Sequence, residues 1–212
     1  MHPTEPGSAD LDPDNDFTVA PPQPIPDCEA RLTAAGVKYH TTTLPLRENQ
    51  KGQYVCGAAQ VVIYERGPGG ISYNARPLLS CGMALALARF ELSLQRESEQ
   101  ALGSRVRRIR QGGTYSCRKM ARFSNMVSEH SYANAIDLYA FTLEDGRTLS
   151  VASDFGKPEV EPTRLESRFL RELARKTFDT GLFSVVLTPF WDKLHSNHFH
   201  VDLARYRVDG TR

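Results

Sequence analysis

Histidine is the residue type whose placement in this chain points most directly to chemistry. Four of the six histidines fall in two short clusters, one at His130 and one within the run His195–His200. Asp137 follows His130 by seven positions, and His198 and His200 form a His-x-His pair. Such a histidine and aspartate, followed by a His-x-His pair, can supply the three ligands that a catalytic zinc takes while a fourth position is left for water. We interpret the pattern as a zinc site.

The second histidine cluster runs into a segment typical of a β-strand, in which side chains two positions apart project to the same face. His198, His200 and Asp202 then share one face, while Phe199 and Val201 pack into the core. This alternation leaves two uses for the histidine pair. Either both imidazoles bind one metal, or one binds the metal and the other faces the substrate.

The first histidine cluster ends in a strand that starts near Ala135. His130 closes a polar turn, and a carboxylate on so apolar a strand needs a partner if Asp137 is buried, which a metal would provide. By alternation, one face of the strand carries Asp137, Tyr139 and Phe141, and the other carries Ile136, Leu138 and Ala140. Each motif alone is also common on metal-free strands, but the two together in this order favour a metal site.

The elements that must position these residues follow from the spacing of apolar residues and from turn signals. Helices are predicted at 28–36, 78–97 and 162–180, the last with its N-cap near Thr163. Strands are predicted at 37–44, 60–65, 105–110, 135–143, 147–152, 183–187 and 198–204. Helices and strands do not alternate as βαβ units, so the expected fold class is α+β, with a mostly antiparallel central sheet flanked by helices.

Length and charge limit the classes of function. A net charge of +1 over 212 residues provides no long-range field that would gather nucleic acid, so no nucleic-acid partner is expected. No stretch approaches the roughly 20 apolar residues that a membrane span needs. One basic run fits either a solvated face or a contact with an anionic partner or polymer. It consists of Arg105, Arg107, Arg108 and Arg110.

The first 27 residues are rich in proline and aspartate and are predicted to be a disordered tail or linker, with one domain over 28–212. They lack the basic and apolar regions of a signal peptide. Either a leader preceded them and was removed, or the protein is exported by a leaderless route. The sequence leaves both open.

Four cysteines indicate two disulfides and an oxidising compartment, periplasmic or extracellular. They are Cys28, Cys56, Cys81 and Cys117. Three pairings are possible, and four free buried thiols are the alternative. The absence of a Cys-x-x-Cys pair argues against a sulfur-ligated zinc.

Several segments together carry a family resemblance. They are Thr114-Tyr115-Ser116-Cys117-Arg118, Ser128-Glu129-His130, Asn134-Ala135-Ile136-Asp137 and His195-x-x-His198-Phe199-His200-x-Asp202. This set resembles the bacterial extensin-like C-terminal domain family over roughly residues 28–203. That family is similar to the D-Ala-D-Ala carboxypeptidase and penicillin-insensitive murein endopeptidase group of zinc peptidases, which implies a Hedgehog/DD-peptidase-like fold and hydrolysis of peptidoglycan cross-links at D-amino acids.

The resemblance also implies a role for each residue of the motifs. It makes His130, Asp137 and His200 the ligands of one Zn²⁺ per chain, and it places His198 and His195 beside the metal-activated water. Arg118 stands where relatives have an arginine that can bind a substrate carboxylate or the oxyanion. Ala133 departs from the family motif, which has glycine three residues after the histidine.

The expected function is therefore that of a zinc-dependent peptidoglycan endopeptidase that acts on peptide stems as a monomer. The Glu-x-x-His base of the carboxypeptidase branch is missing, which favours the endopeptidase. The alternatives are a DD- or LD-carboxypeptidase, a non-catalytic domain that keeps zinc and binds the wall, and a toxin-like module directed at another bacterium's wall. Cobalt or manganese would also suit the ligand set.

Overall fold

The computed structural model describes residues 21–123 and 125–212 and contains two sheets with helices packed on them. The strands are β1 (Lys38–Glu48), β2 (Val55–Arg66), β3 (Ser72–Tyr73), β4 (Leu78–Ser80), β5 (Val106–Gln111), β6 (Ala135–Leu143), β7 (Thr148–Ser150), β8 (Val185–Leu187), β9 (Phe199–Asp202) and β10 (Val208–Gly210). The helices are α1 (Cys28–Ala34), α2 (Cys81–Leu102), α3 (Val151–Asp154) and α4 (Leu165–Asp179). Two short 3-10 helices cover Glu129–Tyr132 and Lys193–His195.

The sheets are largely antiparallel, which confirms the α+β class. The smaller sheet has the strand order β1-β2-β4, and the larger has the order β10-β8-β9-β6-β5-β3, with β7 also paired to β6. Parallel pairing occurs between β10 and β8 and between β3 and β5. The strands β6 and β9, which carry the histidine motifs, are neighbours in the larger sheet.

The core explains why one face of β6 and β9 is free for polar residues. Helices α2 and α4 pack together and contribute Phe90, Leu94, Leu170 and Leu173 to the main apolar cluster. Ile136 and Leu138 of β6 and Phe199 and Val201 of β9 project into the same cluster. The alternation predicted for β9 is therefore confirmed, and His200 and Asp202 project to the other side of the sheet.

The alternation predicted for β6 is wrong at Phe141. Along the β5–β6 pair, Gln111 lies opposite Leu138 and Arg110 lies opposite Ala140, so Tyr139 is an extra residue. Such a β-bulge reverses the alternation of side chains beyond it. Phe141 is consequently fully buried in the core, on the opposite side from Asp137.

Several predicted boundaries also shift. The helix predicted from residue 78 begins at Cys81, because Leu79 pairs with Val62 of β2 and the Ser80 hydroxyl caps the helix by accepting a hydrogen bond from Met83 N. The hairpin after Gly146 continues only as β7 before α3 begins. Helix α4 begins after Arg164, without a side-chain cap from its N-cap residue.

The structure contains two disulfides, Cys28–Cys81 and Cys56–Cys117. None of the helices in the described part of the chain has the length and apolar character needed to cross a bilayer. Most of the predicted tail, residues 1–20, lies outside the described residues. The remainder of it runs along the domain, where Ile25 packs on the core and its backbone N–H donates to Gln60 Oε1 (2.7 Å).

Candidate metal centre

Three elements bring the proposed zinc ligands together. Asp137 on β6 and His200 on β9 are directly opposite each other in the antiparallel pair, and opposed side chains of such a pair are close neighbours. His130 belongs to the 3-10 helix that leads into β6. Its carbonyl accepts a hydrogen bond from Ser116 N (3.1 Å), so the turn is held by a distant part of the chain.

The facing atoms of these three residues lie at separations that suit one metal ion. His130 Nε2 is 3.2 Å from His200 Nδ1, and Asp137 Oδ1 is 3.0 Å from His200 Nδ1 and 3.4 Å from His130 Nε2. Ligands bound tetrahedrally at about 2.0–2.1 Å from zinc are about 3.4 Å apart. Two imidazole nitrogens and one carboxylate oxygen are also the donor types of catalytic zinc sites. The residues present therefore fit a zinc ion.

A second carboxylate orients His200. Asp202 Oδ2 accepts a hydrogen bond from His200 Nε2 (2.9 Å), and its other oxygen accepts one from Ala204 N (2.9 Å). This arrangement leaves the lone pair of a neutral His200 on Nδ1, the atom that faces His130 and Asp137. A carboxylate behind a ligating histidine is the usual support of such a ligand.

The charges of the cluster match a cation. Burial opposes ionisation of Asp137, but hydrogen bonds with His130 and His200 outweigh it and hold the pKa of Asp137 well below its usual range. Burial likewise lowers the pKa of His200, but hydrogen bonds to Asp137 and Asp202 outweigh that effect and raise it to about 9. The carboxylates of the half-buried Asp137 and the buried Asp202 thus favour positive charge between them.

The side-chain amide of Asn134 holds the turn that carries His130. Asn134 Nδ2 donates to Glu129 Oε2 (2.7 Å) and to the Leu203 carbonyl (3.1 Å), and the Ser80 hydroxyl donates to Asn134 Oδ1 (2.8 Å). Burial raises the pKa of Glu129 to about 7. Glu129 therefore helps to hold the turn through its hydrogen bond with Asn134.

Ala133 ends the same turn in a left-handed conformation, with φ 52° and ψ 32°. A residue with a Cβ atom pays about 1 kcal/mol there relative to glycine. The alanine methyl packs against Ala58 and Val61 of β2, which offsets part of that cost. The positive φ explains why glycine suits this position, and the departure from the family motif is accommodated.

His198 stands at the edge of the ligand cluster. Its Nε2 is 3.5 Å from Asp137 Oδ1, and its Nδ1 donates to Asn197 Oδ1 (2.8 Å). The imidazole stacks on the ring of Tyr139, with centroids 4.9 Å apart and an angle of 18° between the planes. Burial lowers the pKa of His198 to about 4, so the ring is neutral at neutral pH with its lone pair on Nε2.

His195 joins the site from the 3-10 helix before β9. Its ring centroid lies 5.3 Å from that of His198 and 5.8 Å from that of His200. Its Nδ1 donates to Asp192 Oδ1 (2.7 Å), and Asp192 Oδ2 accepts from Arg122 Nε (3.2 Å). Burial lowers the pKa of His195.

Asp192 and Arg122 are supports that sequence reasoning missed. The spacing Asp-x-x-His was a signal for Asp192, because residues three apart in a short helix share a face. No local signal pointed to Arg122, which lies 70 positions away from Asp192. The structure thus brings five of the six predicted site residues into one cluster.

The sixth predicted residue, Arg118, has its backbone near the centre but its side chain exposed. Arg118 N donates to the Ser131 hydroxyl (2.9 Å), which ties it to the His130 turn. Its guanidinium makes no hydrogen bond or ion pair with any residue of 21–123 or 125–212. It is therefore available to a ligand, and the structure does not place it against the ligand cluster.

The chain was compared with known proteins by sequence and by structure. Neither the comparison with curated proteins nor that with solved structures gives a significant match. One family model matches residues 26–211, which is nearly the whole domain and includes all six predicted site residues and all four cysteines. By that match, the chain belongs to the family described as the extensin-like protein C-terminus.

Proposed function

We propose that this protein is a zinc-dependent peptidoglycan peptidase that cuts peptide cross-links at D-amino acids. The observation that carries the proposal is the convergence of His130 Nε2, Asp137 Oδ1 and His200 Nδ1, with the neutral His198 beside them. A carboxylate behind His200 and a second histidine at the edge are what a hydrolytic zinc site needs beyond its ligands.

Zinc, when bound by His130, Asp137 and His200, polarises a carbonyl and lowers the pKa of a bound water molecule. The protein's own residues must supply the proton transfers. A water molecule that attacks a peptide carbonyl must lose a proton, and His198 Nε2, 3.5 Å from Asp137 Oδ1, carries a lone pair that the three proposed ligands leave free. The same atom can then return that proton to the leaving amine.

His198 is held in the orientation that this role requires. Its Nδ1 proton is engaged by Asn197, and Tyr139 covers one face of the ring, so its tautomer and its plane are both fixed. His195, oriented by Asp192, has its ring beside those of His198 and His200. In its imidazolium form, with a proton on Nε2 as well as the one that Nδ1 donates to Asp192, it can donate a hydrogen bond to the oxygen that becomes negative during attack.

Two further features support a wall peptide as substrate and the outside of the cytoplasm as location. Extensin-like C-terminal domains resemble the murein endopeptidase group of zinc peptidases, and the catalytic position here is held by a histidine where carboxypeptidases of that group have Glu-x-x-His. The two disulfides indicate folding in an oxidising compartment. We infer a periplasmic or secreted endopeptidase.

The test is mass spectrometry of muropeptides from purified sacculi incubated with the metal-loaded protein. Conversion of cross-linked dimers to monomers, abolished by a chelator and restored by zinc, is the expected result. Loss of only a terminal D-alanine would make the protein a carboxypeptidase. Binding of sacculi without any cleavage would contradict the enzymatic proposal and leave a wall-binding domain.

His200→Ala and His40→Ala form a matched pair of controls for this experiment. Each removes one imidazole, but His40 lies on β1 with its side chain largely exposed and paired only with Glu65 among the described residues. His200→Ala is expected to abolish cleavage, whereas His40→Ala is expected to retain it. Equal loss in both would show that the substitutions act through folding.

A further inference from the structure

Tyr139 and Arg110 form a layered contact next to the proposed catalytic histidine. Tyr139 projects to the same side of the sheet as Asp137, two residues before it on β6, and its ring stacks on His198. The guanidinium carbon of Arg110 lies 4.9 Å from the centroid of the same ring. Arg110 belongs to the basic run on β5, which the function proposed above does not use.

The local backbone is shaped to admit the Tyr139 ring. A Cβ atom on Gly112 would come within 2.2 Å of Tyr139 Cε2, which no side chain tolerates. Gly112 N also donates to the Asp137 carbonyl (2.9 Å). The absence of a side chain at Gly112 thus allows the aromatic ring to lie between Arg110 and the metal cluster.

The charge of Arg110 is not balanced by an ion pair within residues 21–123 and 125–212. The residue is exposed, and its guanidinium forms no ion pair with any carboxylate in the described residues. Arg107, in the same run, differs because its Nε donates to the Leu143 carbonyl (3.1 Å). The ring of Tyr139 favours a defined position for the Arg110 guanidinium through a cation–π contact, while its hydrogen-bond donors remain available.

We propose that Arg110, held on Tyr139, binds a carboxylate of the substrate close to the scissile bond. A guanidinium presents its N–H groups in a planar fork that matches a carboxylate, and it does so better when stacked on an aromatic ring. A bound divalent cation would balance Asp137 and Asp202, so Arg110 would add positive charge beside a neutral centre. That environment selects a peptide with a free carboxylate over its amide.

The choice of substrate in this inference rests on the proposed function. The test therefore includes a measurement of binding, which does not depend on cleavage. Two short cross-linked wall peptides are compared, one with free carboxylates and one in which these are amidated. Binding of each is measured by calorimetry with the zinc-loaded protein carrying His198→Ala, which removes the proposed base. Hydrolysis of each by the wild-type protein is measured separately.

Arg110→Gln is the test variant, and Arg108→Gln is its control at another exposed position of β5, with the same loss of charge. Arg110→Gln is expected to weaken binding of the free-carboxylate peptide roughly 10- to 100-fold and to raise its KM without lowering kcat. The amidated peptide should bind both variants and the parent equally. Arg108→Gln should leave the preference for the carboxylate intact.

The outcomes separate the inference from the function. Binding that prefers the carboxylate through Arg110, without hydrolysis, would support the subsite and contradict the peptidase. Hydrolysis without a preference for the free-carboxylate peptide, or a preference that is retained in Arg110→Gln, would contradict the proposed subsite but not the peptidase. An equal loss in Arg110→Gln and Arg108→Gln would also overturn it, because a general effect of charge would then explain the result.

Discussion

His198 and His200 are two positions apart, yet their surroundings give the two imidazoles opposite preferences for a proton. His200 lies between the carboxylates of Asp137 and Asp202, which raise its pKa to about 9 despite its burial. His198 is partly buried against Tyr139 and has only one of those carboxylates nearby, so its pKa falls to about 4. The first environment attracts a cation, and the second maintains a neutral base.

This difference predicts that removal of the His200 ring abolishes zinc binding, whereas removal of the His198 ring abolishes cleavage. His200→Ala is expected to lose bound zinc, because it deletes one of three proposed ligands and leaves Asp202 Oδ2 without the hydrogen bond from His200. His198→Ala is expected to keep one zinc per chain and to lose cleavage by about 10²- to 10⁴-fold, the usual effect of removing a general base. Metal content after dialysis, measured by atomic emission, and muropeptide cleavage are the two readings.

Equal loss of zinc in both variants would contradict the assignment and would make His198 a ligand. Retention of both zinc and activity in His198→Ala would exclude it as the base and would direct attention to His195. Circular dichroism of each variant, compared with His40→Ala, would show that the fold is retained.

At the scale of elements, the longer strands and helices were predictable, but the short elements β3, β4, β10 and α3 and the bulge in β6 were not. Val201 and Phe199 alternate with histidines in the sequence, and the strand obeys that alternation because its whole length pairs regularly with β6. The alternation in β6 breaks after Tyr139, where the bulge lies. The position of this bulge depends on the partner strand β5 and on the space beside Gly112. Both are long-range features that no local pattern encodes.

The proposed ligand set also had a signal in the sequence. His130, Asp137 and His200 lie on a turn and on the regularly paired parts of two strands, so local motifs indicated a metal site, and the choice of His200 rather than His198 as a ligand came from the family resemblance. The supports of the site were harder to identify, because Arg122, Arg110 and Ser80 reach it from elements far away in the sequence. The starting residue of α2 was missed as well, since Leu79 fits a helix by spacing but is recruited by β2.

A buried carboxylate also joins α2 to the turn between β2 and β3. Glu91 is fully buried, and its oxygens accept hydrogen bonds from Tyr64, Tyr73 and Gly69 N at 3.1, 2.7 and 3.0 Å. Burial outweighs these hydrogen bonds and raises the pKa of Glu91 from 4.5 to about 7. The folded chain therefore binds this proton more tightly than the unfolded chain.

The sign of the resulting pH dependence follows from that shift. Protonation of Glu91 contributes stability that is fully present below pH 4.5 and is lost as the pH rises through about 7, on the order of 3 kcal/mol in total. Glu91→Gln cannot titrate, so its free energy of unfolding should fall less than that of the wild type over this interval. Urea unfolding at a series of pH values between 4.5 and 7.5 measures the difference.

Glu99→Gln removes a carboxyl from an exposed position of the same helix and is the matched control. If Glu91→Gln retained the full pH dependence of the wild type, another group would be responsible. A variant more stable than the wild type at pH 7.5 and less stable at pH 4.5 is the pattern that supports Glu91.

At the scale of the whole molecule, the two disulfides join different parts of the domain. Cys28–Cys81 joins α1 to the start of α2, and Cys56–Cys117 joins β2 of the smaller sheet to the segment before Arg118. That segment is hydrogen-bonded to the His130 turn at several points, among them Ser116 N to the His130 carbonyl (3.1 Å) and Ser128 N to the Arg118 carbonyl (3.0 Å). The second disulfide is thus connected directly to His130, a proposed metal ligand, whereas the first reaches the same turn only through Ser80, which adjoins Cys81 and donates to Asn134 Oδ1 (2.8 Å).

Removing each disulfide by a pair of serine substitutions is therefore expected to give similar losses of stability but different losses of zinc. The bonded cysteines are 53 and 61 positions apart, so the entropy of the unfolded chain rises by nearly the same amount, worth about 4 kcal/mol in either case. The variant without Cys56–Cys117 should also bind zinc more weakly, because its His130 turn loses a covalent support. Urea unfolding and zinc titration against a competing chelator, both at a temperature where each variant is folded, provide the comparison. A similar weakening of zinc binding in both variants would show that the metal centre responds to global stability and that the smaller sheet has no special role in holding His130.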